Sequence, residues 1–152
     1  MPSHTHNFKE FPELTNAQMT TLYWDSPHKQ ITSNFDCKVI KVTDGDTIRV
    51  STSFRDFDFP IRFIGIDAPE MNEGGAVARD WLKAQIEKST VEIKINAANR
   101  VGKFGRLIGD VISRGMSMSD MQLRLGLAEP FGKKQEAEIK STDIIFSLKQ
   151  WF

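Results

Sequence analysis

Apolar and polar positions alternate with a period of two in several short stretches, which is the signature of half-buried strands. Phe35-Asp36-Cys37-Lys38-Val39-Ile40-Lys41-Val42 is the first, rich in β-branched and aromatic residues. Asp44-Gly45 is a turn signal, and Thr47-Ile48-Arg49-Val50-Ser51 alternates as a second strand. In a third, Phe57, Phe59, Ile61 and Phe63 share one face, with Arg62, Ile64 and Ile66 on the other. Val91, Ile93 and Ile95 mark a fourth strand, and Leu107 to Ile112 a fifth. The period lengthens elsewhere. Ala76 to Lys88 reads as a helix with Val77, Trp81 and Ala84 along its apolar stripe. Ser117 to Leu125 reads as a shorter helix with Met118, Met121 and Leu125 spaced for burial and Gly126 closing it.

Five short strands with a helix between the third and fourth predict an α+β, mainly β, domain over 35–128. Its expected form is a five-stranded Greek-key barrel of OB type with two to three packed helices. Residues 1–34 form a polar N-terminal arm with scattered aromatics. Within it, Thr15-Asn16-Ala17-Gln18 is a capping box that opens a short helix presenting Met19, Leu22 and Tyr23, and Ser26-Pro27 stops it. The arm is too small to fold alone, so it docks either on its own core or on a partner. In residues 129–152, Ile144, Leu148 and Trp151 fall at helical spacing and predict a C-terminal amphipathic helix.

Composition narrows the picture. At 152 residues, 39% hydrophobic and 26% charged, the chain is an ordinary globular one, which excludes global disorder and collagen-like repeats. Lys+Arg and Asp+Glu balance at 20 each, so no global field draws in nucleic acid or anionic lipid. Any anion recognition must be local. Cys37 is the only cysteine, so no internal disulfide forms, and it reads as a small buried apolar side chain. No window approaches the ~18 consecutive apolar residues of a membrane span. The start, MPSHTHNFKEF, is expected to carry no classical secretion signal.

Three fragments carry candidate chemistry. Asp44-Gly45-Asp46-Thr47 alone is an ordinary hairpin turn. Arg62 with Asp67-Ala68-Pro69-Glu70 places two carboxylates around a proline-stiffened turn at a strand end. Lys103-Phe104-Gly105-Arg106 alone is a basic loop. Together they hold the parts of one reaction. Carboxylates such as Asp46 and Asp67 supply the oxygen ligands that a hard cation needs. Glu70 is placed to orient or deprotonate a water. Two planar guanidiniums suit phosphodiester oxygens, and phosphoryl transfer builds negative charge that a metal and arginines stabilise.

The stretches VIKVTDGDTIRV, IRFIGIDAPE, KFGRLIGDV and QLRLGLAE, in this order, resemble the staphylococcal (thermonuclease-like) nuclease domain over about residues 35–128. The resemblance implies an OB barrel and calcium-dependent hydrolysis of DNA and RNA, with P–O5′ cleavage leaving 3′-phosphates. By position it makes Asp46 and Asp67 calcium ligands, with Ala68 contributing its backbone carbonyl and Asp44 standing behind them. Manganese is a reasonable substitute for binding. It makes Glu70 the general base or water orienter, and Arg62 and Arg106 the clamp on phosphate and transition state. Lys103 and Phe104 fall among the substrate-binding positions. The chain departs from the family at Phe104, where a tyrosine is usual, and in having Tyr23 as its sole tyrosine. Phe131 reads as a packing residue, with a stacking face as the alternative. The segment Met71 to Gly75 replaces a long loop.

A second reading keeps the fold and drops the catalysis. The chain is then a structural or binding module seated in a larger assembly, such as a viral particle, through residues 1–34 and 139–152. The alternatives for localisation are the cytoplasm, carriage within such an assembly, or export by a non-classical route.

Overall fold

The computed structural model describes residues 6–102 and 105–132. The expectations for Lys103, Phe104 and a helix carrying Ile144, Leu148 and Trp151 lie outside the described residues.

Five strands close into a mixed barrel: β1 (Phe35–Asp44), β2 (Thr47–Thr52), β3 (Arg55–Phe63), β5 (Thr90–Lys94) and β6 (Leu107–Ser113). The order is β3-β2-β1-β5-β6, antiparallel throughout, and β3 closes the barrel by pairing parallel with β6. The alternation seen in the sequence becomes the inside of this barrel. Val39, Val42, Ile48, Val50, Phe59, Ile61, Phe63, Val91, Ile93, Leu107 and Val111 form one apolar core. Burying each such side chain contributes roughly 1.5–3 kcal/mol. The OB-type, mainly β architecture, with three α-helices among the described residues, α1 (Asn16–Leu22), α2 (Gly75–Ile86) and α3 (Met118–Arg124), is thus the one the periodicity predicts. No helix among the described residues is long and apolar enough to cross a membrane.

Local details differ from expectation for physical reasons. The third strand does not run on to Ile66. The chain turns at Ile64-Gly65, so Ile66 enters the core, fully buried, as part of a two-residue strand β4 (Ile66–Asp67). On α2 the buried stripe is Ala78, Leu82 and Ile86, one i,i+4 row, and Val77 is exposed. The larger apolar pair Leu82 and Ile86 sets which face turns inward. On α3, capped by the Ser117 hydroxyl accepting from the Asp120 N–H, Met118 and Gln122 are buried while Leu125 is exposed. Beyond α3, Glu129–Pro130 forms strand β8, antiparallel to β4, so the segment after 128 begins as strand rather than helix. A two-residue strand β7 (Met116–Ser117) extends the barrel sheet beside β6.

The arm packs on its own barrel. The capping box is complete, with Thr15 Oγ1 accepting from the Gln18 N–H and Gln18 Oε1 accepting from the Thr15 N–H. Leu14 and Ile31 are buried, and so is a charged cluster. Glu13 pairs with Arg55 at 2.6 Å and with Arg100 at 3.5 Å. Arg100 also donates to the carbonyls of Ile31 (2.7 Å) and Leu14 (3.0 Å). The Arg55 guanidinium lies over Phe57 and Phe59, at 5.0 and 4.5 Å from their ring centroids. Removing two guanidiniums and a carboxylate from water costs several kcal/mol per ion, and this mutual pairing offsets it.

Candidate functional site

Barrel closure assembles the site. In the β2–β3 register Thr47 faces Arg62, and the Phe63 N–H donates to the Asp46 carbonyl (2.8 Å), so the Asp44–Asp46 turn lies beside Arg62. In the parallel β3–β6 register Arg62 faces Ile108, two residues beyond Arg106, so both arginines sit at one end of the barrel. The β4–β8 pair sets Asp67 opposite Glu129.

Arg62 is the hub. Its Nη2 meets Asp67 Oδ1 at 2.7 Å and its Nη1 meets Asp46 Oδ2 at 3.2 Å. Nη1 also donates to the Ile66 carbonyl (3.0 Å), which fixes the plane of the guanidinium. Backbone and hydroxyl donors also hold the two carboxylates. The Ala68 N–H donates to Asp46 Oδ2 (2.8 Å), the Thr47 hydroxyl to Asp46 Oδ1 (3.1 Å), and the Gly132 N–H to Asp67 Oδ2 (3.2 Å). Asp44 Oδ1 accepts from the Asp46 N–H (3.0 Å), the Asx arrangement that favours this turn. Burial pushes the Asp46 carboxyl above its ordinary value, and the Asp44 side chain adds to the rise. The Ala68 N–H and Arg62 oppose it.

Glu70 lies at the surface, just before a 3-10 turn at Met71–Glu73. Its backbone carbonyl accepts from the N–H groups of Glu73 and Gly75, and so anchors the start of α2. Arg106 and Arg62 line a cavity of about 500 Å³ whose apolar walls include Phe63, Val101, Ile108 and Phe131. Phe131 is 62% exposed, so it is a wall of this cavity rather than the packing residue expected. Among the described residues no three His, Cys, Asp or Glu side chains gather as a metal site. Asp46 and Asp67 converge on Arg62 instead.

The profile of the staphylococcal nuclease homologue family (SNase) matches residues 60–149, which is 90 of the 152 residues. The chain belongs to the SNase family. No curated protein matches it. The SNase match begins inside β3. It takes in Arg62, Asp67, Ala68, Glu70 and Arg106, and leaves the Asp44–Asp46 turn upstream. The barrel supplies what the match omits, because β1 and β2 deliver Asp46 to the SNase-matched Arg62.

One residue that sequence reasoning missed organises this centre. Gln122 is fully buried, and its Nε2 donates to the Gly45 carbonyl (2.7 Å) beneath the turn. Gly45 is required there. A Cβ at that position would lie 2.9 Å from Ala78 Cβ and 3.1 Å from Ala68 Cβ. The turn, the Asp67–Glu70 segment, α2 and α3 therefore meet at one point. A lone Gln between Met121 and Leu123 carries no periodic signal that would have marked it.

Proposed function

We propose that the chain is a nuclease that hydrolyses phosphodiester bonds of DNA, RNA or both, cleaving P–O5′ and leaving 3′-phosphates. The observation that carries this reading is the convergence of Asp46 and Asp67 on Arg62, which lines one cavity together with Arg106. In this reading Arg62 and Arg106 bind the scissile phosphate through paired N–H donors and stabilise the charge that grows on its oxygens. The carbonyl of Ile66 orients the Arg62 guanidinium in advance. Glu70, on a turn fixed through its backbone, orients the attacking water and accepts its proton. The apolar walls next to the arginines leave room for a base, with the exposed ring of Phe131 offering a stacking face.

Asp46 and Asp67, both paired with Arg62, carry the carboxylate oxygens that a hard divalent cation takes. Asp46, Asp67 and the Ala68 carbonyl would hold calcium, or manganese in its place, with Asp44 behind. The ion would supply charge stabilisation at the phosphoryl oxygens.

A second reading, a binding module docked in a larger assembly, is favoured by one feature of the arm. Trp24 is 91% exposed and stacks edge-to-face on Tyr23 at 5.3 Å. The test separates the two. Single-stranded DNA, duplex DNA and RNA are incubated with calcium, magnesium, manganese or chelator, beside an Asp46→Ala control. Calcium-dependent cleavage that the control abolishes supports the nuclease. A folded protein that cleaves nothing with any metal supports the module.

A further inference from the structure

We propose that the N-terminal arm is a positioning element for Arg106, with Phe11 and Arg100 as the positioning residues. This rests on the phosphodiesterase reading of Arg106 given above. The chain that carries Arg106 leaves β5 at Lys94 and returns at Leu107. Two points on this excursion are fixed by the arm.

The first is Arg100. Arg100 is buried, and its side chain reaches into the arm, where Glu13, Leu14, Asn16 and Ile31 all bond it. Its backbone carbonyl accepts from the Ile108 N–H at 2.8 Å, two residues past Arg106. The second is Gly105. A Cβ there would lie 2.7 Å from Phe11 Cδ1, so the ring of Phe11 rests directly on the residue that precedes Arg106. Gly105 has φ +75°, a conformation that glycine adopts freely. Phe11 is itself held, its N–H donating to the Asn7 carbonyl (2.9 Å) and its carbonyl accepting from His6 Nε2 (2.8 Å). The Gly102 N–H donates to the Arg106 carbonyl (2.8 Å) and the Gly105 N–H to the Gly102 carbonyl (3.0 Å). The arm lies outside the SNase match, which covers residues 60–149 and includes Arg100, Gly105 and Arg106. Half-buried Phe11 can be truncated without opening the barrel core.

The test uses the full chain with Phe11→Ala and the conservative Phe11→Leu. Amide hydrogen exchange is measured at Gly102, Gly105 and Ile108, with Val50 and Phe59 of the barrel as internal reference. The proposal expects about tenfold faster exchange at the loop amides in Phe11→Ala, unchanged exchange at the barrel amides, and recovery in Phe11→Leu. With single-stranded DNA and calcium, kcat falls about tenfold while KM changes less than threefold, and Phe11→Leu restores kcat. Unchanged loop exchange overturns the proposal. So does faster loop exchange at wild-type kcat, which would leave Arg106 indifferent to the arm. If the wild-type protein cleaves nothing, the nuclease reading fails by itself, and exchange still decides whether the arm fixes the loop.

Discussion

At the scale of single residues, burial decides which side chains react and which only pack. Cys37 is 4% exposed, and burial, helped by Asp36, pushes its thiol up to about 12 from an ordinary 9.0. The folded state keeps the proton, so above pH 9 the unfolded chain binds fewer protons and stability falls as pH rises towards 12. Denaturant unfolding at pH 8 and pH 10.5 should show the wild type losing about 2 kcal/mol relative to Cys37→Ala. Equal losses in the two proteins would contradict the burial argument. Gln122 makes the opposite case. Its Nε2 serves Gly45, but its Oε1 is buried with no hydrogen-bond partner among the described residues. Replacement by leucine removes the unsatisfied acceptor but strands the buried Gly45 carbonyl. Gln122→Leu is therefore expected to cost about 1–3 kcal/mol in a urea titration. Wild-type stability would show that the Gly45 tie matters no more than the orphaned oxygen costs.

At the scale of elements, strands were far more legible in the sequence than helix faces. A period of two fixes a strand's inner face outright, and β1, β2, β5 and β6 fall where alternation puts them. A helix offers several apolar rows, and here Val77-Trp81-Ala84 competed with Ala78-Leu82-Ile86. The second won because α2 packs on β1 with its bulkiest aliphatic residues inward. Leu82→Ala should accordingly cost about 3 kcal/mol in thermal or denaturant unfolding, whereas Val77→Ala should cost under about 1. The site was legible as parts but not as an arrangement. Asp46, Arg62 and Asp67 stood out as residue types at turn and strand ends. That Arg62 would bridge both carboxylates depends on barrel registers no short motif reveals. Gly132 and Phe131 reach the site only because β8 pairs with β4, a pairing of two residues with no periodicity to read.

At the scale of the molecule, the arm and barrel share one buried charged cluster. Glu13 neutralises Arg55 and Arg100 from the arm side, so Glu13→Gln strands two buried guanidiniums and should cost about 3 kcal/mol. Deleting residues 1–34 removes Leu14 and Ile31 as well and should lower the melting temperature markedly. Unchanged melting would mean that the arm only decorates the barrel. The sequence left open whether this arm sits on its own core or on a partner, since long-range pairing between residues 13 and 100 leaves no local trace. The same long-range closure sets Asp46, Arg62, Asp67 and Arg106 at one end of a barrel whose net charge is near zero, and it underlies the nuclease reading. Glu70→Gln tests that reading most directly. The side chain is exposed and glutamine keeps its size, so the variant loses the base while the barrel core is untouched. The rate of calcium-dependent cleavage of single-stranded DNA should drop about a hundredfold or more at unchanged melting temperature. A wild-type rate in Glu70→Gln would contradict the account.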